Sequence, residues 1–433
     1  MARRDFTIGI VGLGYVGLPL AIAAVREGFP VVGFDINADR VDLLNAGKSG
    51  IEHIDDDAIA SAVDNGRFRA TSDFSELGEP DAILIAVPTP LSKQREPDLS
   101  FVEASAEAVA GSLRREQLVV LESTTWPGTT GELVKPILER SGLQCDTDFF
   151  LAFSPEREDP GNAHFDTKAI PKVVGADDKS SLDLAVALYG TLVQQVVPVS
   201  STRTSEAVKL TENIFRSVNI ALVNELKVIY EKMDVDVWEV IDAAKSKPFG
   251  FMPFYPGPGL GGHCIPIDPF YLTWKAREYE VATRFIELAG EINTTMPYYV
   301  LDRLTWALDT KFSRGLNRAK ILIVGMAYKK NVDDIRESPS LKLIELLQAR
   351  GSRIDYHDPH VPRIPSTRAY PQLKGMQSLE LSSNMLESYD AVLISTDHDC
   401  IDWKLITEHA KLVIDTRNVC ARNGYDGDKV VKA

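Results

Sequence analysis

The chain of 433 residues is 44% hydrophobic and 25% charged, values typical of a globular protein with two to four domains. Its formal net charge of −15 argues against a nucleic-acid partner, because the phosphates would be repelled. The four cysteines, Cys145, Cys264, Cys400 and Cys420, stand far apart and form no CxxC pair. This spacing disfavours a zinc site or a disulfide framework, and it fits a protein of the reducing cytoplasm.

The N-terminal apolar stretch is the one candidate for a signal peptide or a membrane span. Residues 8–25 carry no charge and follow two arginines. The stretch nevertheless contains several glycines and Pro19, which would break an apolar helix, and the next strand ends at Asp35. We therefore predict a buried strand, a turn and a helix here, and no contact with a membrane.

The N-terminal third alternates apolar strand-like runs with helical segments, the pattern of a doubly wound α/β domain. Four runs are predicted to be buried parallel strands, and two more are predicted to extend the same sheet. They lie at residues 7–11, 31–35, 82–87 and 118–121, and at 149–152 and 172–175. We predict a Rossmann-like domain that covers residues 1–200.

A glycine-rich turn, Gly12-Leu13-Gly14-Tyr15-Val16-Gly17, follows the first strand and opens a helix. Glycines are required where a turn is tight and where backbone N–H groups meet a pyrophosphate. Asp35 ends the second strand, near the spacing expected for a carboxylate that binds a ribose 2′-hydroxyl, so NAD is favoured over NADP. Arg40 would soften that preference, and Val87 and Thr89 follow another strand and are predicted to line the same cleft.

A long helix is predicted from Ser201 to about Val235, where apolar residues recur without an internal glycine or proline. Such a helix must pack on more than one side, so we expect it to join two domains and to form the interface of a homodimer or a higher homo-oligomer. Helical segments continue to about Phe312, interrupted by a loop rich in glycine and proline. We predict a central helical domain over residues 201–312.

A second Rossmann-like unit is predicted over residues 313–433. Its strands are expected at 320–325, 352–356, 391–394 and 412–415. The first of them is followed by Gly325-Met326-Ala327-Tyr328-Lys329-Lys330, which contains no second GxGxxG. A second dinucleotide site is therefore not indicated, but a crevice at the carboxyl ends of these strands would suit another nucleotide.

Cys264 lies in the interrupting loop, after Gly259, Gly261 and Gly262. A cysteine in an intracellular protein is often only a small buried hydrophobe, and that alternative applies here. The glycines, however, allow the backbone to approach a ligand closely, and Asp268 lies near a predicted helix start. A thiol beside a nicotinamide can trap an aldehyde as a thiohemiacetal and then hold the acyl group as a thioester. We therefore predict a functional thiol at position 264.

Glu206, Lys209 and Asn213 are spaced to share one face of the long helix. A solvated or helix-pairing polar stripe is one explanation, and donors for an alkoxide or a thiohemiacetal oxyanion are the other. Two loops after strands carry further candidates. Glu156 would serve as a general base, and a hydroxyl in the segment 123–129 would position water or cap the next helix.

Together these residues resemble the UDP-sugar 6-dehydrogenases, which are NAD-dependent enzymes that act on nucleotide sugars. The likeness covers nearly the whole chain, in the order NAD domain, central helical domain and UDP-binding domain. Its most specific markers are the glycine-rich turn, the segment 206–216, the run from Gly261 to Cys264 with Asp268, and the segment 329–338.

The resemblance implies roles for individual residues. Cys264 matches the nucleophile, Lys209, Asn213 and Asp268 match the oxyanion and water-activating group, Thr124 matches a water-positioning threonine, and Glu156 matches the first active-site glutamate. Substrate contacts are implied for Glu156, Arg157, Lys209, Asn213, Phe254, Tyr255, Gly257, Gly261, Tyr328, Lys329 and Arg417, and cofactor contacts for Thr124 and Arg336.

Two departures within that family bear on the substrate. UDP-glucose dehydrogenases usually carry Gly-Phe-Gly-Gly-Ser-Cys and a second glutamate, whereas this chain has Gly-Leu-Gly-Gly-His-Cys and Pro160-Gly161. Its motifs look like those of the branch that acts on UDP-N-acetylhexosamines, most closely UDP-N-acetylglucosamine. The resemblance implies a four-electron oxidation of C6 to the uronic acid, with two NAD per sugar, for surface polysaccharide precursors.

Three alternatives stay open. The chain would instead be a two-electron β-hydroxyacid dehydrogenase, a non-catalytic NAD-binding regulator, or a dehydrogenase of UDP-N-acetylmannosamine or UDP-glucose. The sequence does not decide which of Lys209, Asp268 and Glu156 is the base in each step.

Overall fold

The computed structural model describes residues 6–51, 54–92, 96–157, 168–262, 265–367, 369–425 and 427–433. Contacts between residues divide the chain into two compact units. The first comprises Met1–Glu212 with Phe270–Ala282, and the second comprises Asn213–Pro269 with Thr283–Ala433. The boundary falls inside the long central helix, and the three-domain division at residues 200 and 312 stays a prediction.

The first unit is built on one eight-stranded sheet. Its strands are β1 (Ile8–Val11), β2 (Val31–Phe34), β3 (Phe68–Thr71), β4 (Ala82–Ile85), β5 (Leu118–Leu121), β6 (Phe150–Phe153), β7 (Lys172–Ala176) and β8 (Val196–Val199). Their order is β3-β2-β1-β4-β5-β6-β7-β8, and neighbours run parallel except for β6 and β7. The sequence predicts six of these strands, and the two that it misses, β3 and β8, lie at the sheet edges.

Helices alternate with these strands along the chain. They are α1 (Gly17–Arg26), α2 (Ala38–Asn45), α3 (Asp56–Asp64), α4 (Ser100–Ser112), α5 (Lys135–Glu139) and α6 (Lys179–Leu192). Strands β1, β4 and β5 are fully buried, as expected for parallel strands covered on both faces. The apolar N-terminal stretch thus folds as the predicted strand, turn and helix. Among the described residues, no helix has both the length and the apolar character needed to cross a membrane.

Between the two sheets, the described residues form four α-helices. They are α7 (Thr202–Lys232), α8 (Val237–Ala244), α9 (Asp268–Ala276) and α10 (Arg284–Phe312). Helix α7 has 31 residues and confirms the predicted long helix. Helix α9 begins at Asp268, where the sequence predicts a helix start.

The second unit carries a five-stranded parallel sheet. Its strands are β9 (Lys320–Val324), β10 (Arg353–His357), β11 (Ala391–Ile394), β12 (Val413–Asp415) and β13 (Val430–Lys432), in the order β10-β9-β11-β12-β13. Its helices are α11 (Pro339–Ala349), α12 (Ser383–Ser388), α13 (Trp403–His409) and α14 (Val419–Arg422). The chain passes from β9 to β10 on one side and then to β11 on the other, which opens a crevice at the carboxyl ends of β9 and β11.

The predicted fold class is confirmed. Each unit contains a Rossmann-like sheet, and the segment between the two sheets is helical apart from its glycine- and proline-rich loop. The strand β13 and the antiparallel pairing of β7 are additions to the predicted pattern.

Candidate functional site

The glycine-rich turn lies between β1 and α1, and its three glycines meet different surroundings. Gly12 has a φ of +93°, and a Cβ there would lie 2.6 Å from the carbonyl oxygen of Ala86. A Cβ on Gly17 would lie 1.8 Å from the carbonyl oxygen of Gly12, so the turn closes only with glycine. A Cβ on Gly14 would meet no atom within 4 Å. The turn is therefore tight at its ends and open in the middle, as a bound pyrophosphate requires.

The start of α1 suits the same ligand. Val16 is the N-cap residue of α1 and makes no side-chain capping hydrogen bond. Backbone N–H groups at an uncapped helix start bind phosphate well, because they combine with the positive end of the helix dipole. Tyr15, beside Val16, is half-buried and packs against the core of the first unit. These residues fit a dinucleotide held at the turn.

Asp35 lies just after β2 and braces the glycine-rich turn. Its carboxylate accepts the N–H of Leu13 at 3.0 Å and the N–H of Asn37 at 2.9 Å. Arg40 donates from Nε to the carbonyl oxygen of Leu13 at 2.6 Å. Asp35 is partly exposed, and a carboxylate has about four lone-pair sites, so it can also accept hydrogen bonds from a ribose.

The loops after β4 and β5 are tied together by one hydroxyl. Ser123 Oγ accepts the N–H of Val87 at 3.0 Å and donates to the carbonyl oxygen of Val87 at 2.8 Å. Thr89 is buried, and its carbonyl oxygen accepts the hydroxyl of Tyr271 at 3.0 Å. Thr124 is half-buried next to Ser123. Three of the predicted site residues therefore lie in one connected pair of loops.

Tyr271 belongs to an aromatic cluster that the sequence does not single out. The ring of Trp126, in the loop after β5, lies 6.1 Å from the ring of Tyr271 and 4.7 Å from the ring of Trp274. Tyr271 and Trp274 are both on α9, the helix that begins at Asp268. The cluster therefore packs Tyr271 and Trp274 against the loop after β5, all within the first unit.

Glu206 is fully buried near the start of α7 and holds the loop after β5. Its carboxylate accepts the N–H of Gly128, the N–H of Thr130 at 2.8 Å and the hydroxyl of Thr130 at 2.7 Å. Burial raises the pKa of Glu206 to about 7, although these hydrogen bonds favour the ionised form. The polar stripe of α7 is thus buried at this point, not solvated.

Lys209 lies one turn further along α7 and is 6% exposed. Its Nζ donates to the carbonyl oxygen of Glu156 and lies 3.9 Å from Glu156 Oε2. Glu156 follows β6, so the fold brings together two predicted residues that are 53 positions apart in the chain. An ammonium beside a carboxylate in a poorly solvated place can donate to an oxyanion or exchange a proton.

Arg157 is the neighbour of Glu156 and makes a two-point ion pair with Glu212. Its Nε lies 3.3 Å from Glu212 Oε2, and its Nη2 lies 2.5 Å from Glu212 Oε1. Glu156 and Arg157 also line a cavity with Val16 and Lys172. The guanidinium of Arg157 is thus held by the protein, close to the start of α1.

In the second unit, Asn213 and Asp268 are joined directly. Asn213 Nδ2 donates to Asp268 Oδ2 at 2.5 Å, and both side chains are buried. Asp268 is the first residue of α9, and it stands four positions after the predicted nucleophile. The fold therefore brings a predicted oxyanion donor and a predicted water-activating carboxylate into contact.

Cys264 lies outside the described residues, but the glycines before it do not. A Cβ on Gly261 would lie 2.5 Å from Cβ of Tyr328, and a Cβ on Gly262 would lie 2.9 Å from the ring of Tyr328. The N–H of Gly262 donates to the carbonyl oxygen of Arg336 at 2.9 Å. The loop that leads to the cysteine therefore packs directly on the loop after β9, and this close approach requires glycine.

The loop after β9 is fixed by two buried side chains that the sequence does not single out. Asp358 Oδ2 accepts two backbone N–H groups of the segment 326–327, at 2.5 and 2.9 Å, and contacts His398 Nε2 at 3.0 Å. His398 Nδ1 accepts the N–H of Asn331 at 2.9 Å. The predicted substrate residue Lys329 lies between these fixed points and is half-buried.

Arg417 follows β12 and reaches the loop before the cysteine. Its Nε donates to the carbonyl oxygen of Ser395 at 2.7 Å, and its Nη1 would lie 2.8 Å from a Cβ on Gly257. The N–H of Gly257 donates to Oδ1 of Asn224, a fully buried residue of α7, at 3.0 Å. The predicted substrate residues Gly257 and Arg417 are thus adjacent.

Three other predicted residues make further contacts within the second unit. Arg336 is exposed and pairs with Asp334 at 2.7 Å. The hydroxyl of Tyr255 donates to Asp242 at 2.7 Å, and the ring of Phe254 packs against α7.

Family models match three consecutive parts of the chain. Residues 6–193 match the NAD binding domain of the UDP-glucose/GDP-mannose dehydrogenase family, residues 203–295 match its central domain, and residues 322–422 match its UDP binding domain.

Individual proteins match over nearly the whole length. The chain is 37% identical over 428 residues to an NDP-N-acetyl-D-galactosaminuronic acid dehydrogenase of Ralstonia nicotianae, with 96% of each chain covered. It is 35% identical over 430 residues to a UDP-N-acetyl-D-mannosamine dehydrogenase of Salmonella typhi, covering 95% of this chain and 99% of the relative. A solved structure of the UDP-D-ManNAc dehydrogenase from Pyrococcus horikoshii has a TM-score of 0.84 at 33% identity, with 95% and 96% covered.

The raised pKa of Glu206 predicts a pH dependence of stability. In the unfolded chain this carboxyl titrates near 4.5, and in the folded chain near 7, so the folded state binds more protons between these values. The free energy of unfolding should therefore fall as the pH rises from 4.5 to 7, by about 3 kcal/mol at most.

Replacing Glu206→Gln should remove this part of the pH slope in chemical unfolding measured from pH 4.5 to 8. Glu225→Gln, at an exposed position on the same helix, serves as the matched control and should keep the wild-type slope. Equal slopes in wild type and both variants would contradict the assignment to Glu206.

Proposed function

The chain belongs to the UDP-glucose/GDP-mannose dehydrogenase family of NAD-dependent nucleotide-sugar oxidoreductases, and from this premise we propose that it oxidises C6 of a UDP-N-acetylhexosamine to the uronic acid. The observation that carries the proposal is the pair of buried contacts made by α7, Lys209 with Glu156 and Asn213 with Asp268. These are the residues that the resemblance assigns to the oxyanion and water-activating group.

The choice of sugar draws on two sources. The motifs around Cys264 favour UDP-N-acetylglucosamine, whereas the relatives described above are named for N-acetylmannosamine and N-acetylgalactosaminuronic acid. All three are 2-acetamido sugars, so we propose an N-acetylhexosamine as the class, with UDP-N-acetylglucosamine as the first candidate and UDP-glucose as the less favoured alternative. The product would serve as a cytoplasmic precursor for surface polysaccharide.

In the proposed mechanism, NAD held at the glycine-rich turn supplies the hydride acceptor for both oxidations. Lys209, or a water that it orients, accepts the hydroxyl proton of C6. Cys264 then attacks the aldehyde carbon, and Lys209 and Asn213 donate hydrogen bonds to the oxyanion of the thiohemiacetal. After the second oxidation, water activated near Asp268, Glu156 and Thr124 hydrolyses the thioester and releases the uronate.

The function is tested by a panel of UDP-sugars with NADH counted for each product. UDP-N-acetylglucosamine, UDP-N-acetylmannosamine, UDP-N-acetylgalactosamine and UDP-glucose are compared by kcat/KM, and the acids are quantified. We expect two NADH per uronate. One NADH per product would indicate a two-electron dehydrogenase, and NAD binding without turnover of any sugar would indicate a regulator.

Within the same assay, Cys264→Ser should abolish uronate formation and leave NAD affinity unchanged, because a serine hydroxyl does not replace the thiol as acyl carrier. Cys400→Ser, at an exposed position, is the control and should keep wild-type turnover. Uronate production by Cys264→Ser at a near-wild-type rate would overturn the thioester mechanism.

Lys209→Met should lower kcat by about 10²-fold or more, which is the scale of a lost oxyanion donor. The methionine side chain retains most of the apolar packing of the lysine stem. Lys135→Met, which removes a half-exposed surface ion pair with Asp146, is the control and should change kcat little. A loss below about fivefold for Lys209→Met would assign that residue a structural role only.

We also propose a homodimer that forms through α7. Phe215, Leu222 and Ile229 are 49%, 50% and 45% exposed, and their spacing of seven residues places them in one row along the helix. At about 100° per residue, this row lies opposite the buried polar side chains of α7. Burying an apolar row of this length stabilises the protein, and the same row on a second copy of the chain can pack against it around a two-fold axis.

Leu222→Glu should therefore shift the mass measured by light scattering from dimer to monomer at micromolar concentration. Ile36→Glu, at a 77% exposed position in the first unit, should leave the mass unchanged. A wild-type protein that is monomeric across this concentration range would refute the proposed interface.

A further inference from the structure

Lys227 lies on the same face of α7 as Lys209, 18 residues and about five helical turns further along. It is 3% exposed, and its Nζ has no hydrogen-bond partner within the part of the chain that the structure describes. Nζ instead lies 5.3 Å from the ring centroid of Trp238 and 5.2 Å from that of Tyr299. The rings attract a cation, but they replace only part of the hydration that an ammonium loses on burial.

Charged and titratable groups face Lys227 from α7, α10, β12 and β13, whereas α8 contributes the ring of Trp238. These groups are Glu231 on α7, Tyr299 and Arg303 on α10, Asp415 and Arg417 at the end of β12, and Lys432 on β13 across the ring of Trp238. Both carboxylates are already engaged. Glu231 pairs with Arg303 and accepts the hydroxyl of Tyr299, and Asp415 accepts backbone N–H groups of Arg417 and Cys420.

Burial lowers the pKa of Lys227 to about 7, and among the nearby charges the guanidinium of Arg417 lowers it most. Near neutral pH the amine is therefore partly neutral. An anion that pairs with Arg417 would offset this repulsion, so the pKa of Lys227 would rise and the amine would bind a proton.

The backbone links these two cations through the loop before the cysteine. Arg417 lies against Gly257, and Gly257 donates to Asn224, which stands three residues before Lys227 on α7. Asn224 is held in turn by Asn293 at 2.9 Å, so the loop is fixed between Arg417 and this stretch of α7. A ligand at Arg417 would therefore lie near the helix turn that carries Lys227.

We propose that Lys227 completes the anion subsite of Arg417 by taking up a proton when the diphosphate of a nucleotide sugar binds there. This inference rests on the proposed function, in which Arg417 contacts the UDP-sugar. The diphosphate diester carries two permanent negative charges. The proton taken up by Lys227 adds a matching charge in the bound state and spares the free protein the full cost of a buried ammonium.

The test is calorimetry of UDP-N-acetylglucosamine binding without NAD at pH 7.5, in two buffers that differ in ionisation enthalpy. This ligand has no phosphate group that titrates near pH 7, so proton uptake reports on the protein. We expect wild type to take up roughly half a proton per chain on binding. This amount follows if the pKa of Lys227 lies below the working pH in the free protein and above it in the complex. Lys227→Met, which keeps an apolar stem between the rings, should bind without this uptake.

Lys432→Met is the matched control, because Lys432 lies 5.5 Å from the ring of Trp238 but pairs with Asp236. It should keep the wild-type proton uptake. Lys227→Arg carries a fixed charge and should also bind without uptake, which provides a second variant if the methionine variant fails to fold. Between pH 7 and 8.5, the Kd should rise by up to about tenfold per pH unit in wild type and stay flat in Lys227→Met.

Binding without proton uptake in wild type, or equal uptake in Lys227→Met, would overturn the inference and leave the proposed function intact. Failure of wild type to bind any of the four UDP-sugars would instead contradict the proposed function, and the inference with it.

Discussion

The contacts that α7 makes within each unit depend on the cost of burying its polar side chains. At about 100° per residue, five of its residues fall within an arc of roughly 60°. They are Glu206, Lys209, Asn213, Asn224 and Lys227, and each is at most 6% exposed. A buried polar group without a partner lowers the free energy of unfolding. Each of these side chains therefore favours a backbone or side-chain arrangement that gives it a partner. The first four hold the loop after β5, the backbone after β6, the start of α9 and the loop before the cysteine.

Glycine lets these loops come close enough to be held. Gly257 leaves room for the guanidinium of Arg417, and Gly261 and Gly262 leave room for Tyr328. A side chain at position 261 would push the loop away from Tyr328, and one at position 257 would displace the guanidinium of Arg417. The loop of Tyr328 is fixed from behind by Asp358, whose carboxylate accepts backbone N–H groups from the loops after both β9 and β10. The position of Gly261 and Gly262 therefore depends on Tyr328 and, through the loop that carries Tyr328, on the buried Asp358.

The sequence predicts what is encoded locally and misses what depends on distant partners. The glycine-rich turn and α7 are recognised because each carries a full periodic or spaced pattern within its own segment. Strands β3 and β8 are missed because edge strands tolerate residues that weaken a strand pattern; β3 contains the exposed Arg69, and β8 contains Pro198. The hydrophobic pattern of a strand does not depend on its direction, so the sequence does not predict that β7 runs antiparallel to β6. The sequence does not identify Asp358 and Asn224 as structural residues, because most of their hydrogen-bond partners lie at least 30 positions away in the chain.

Lys209 and Lys227 show why residue type and burial alone do not define a chemical role. Both are buried lysines on one face of one helix, yet Lys209 donates to Glu156 while Lys227 meets two aromatic rings. The surroundings of each lysine matter for ligand binding because the chain carries a net charge of −15. At long range this charge repels an anionic nucleotide sugar. Salt screens that repulsion beyond about 8–10 Å, so affinity must come from a few cations placed close to the ligand. A lysine that gains its full charge only when the anion binds, as we propose for Lys227, meets this need without a full like-charge pair beside Arg417 in the free protein.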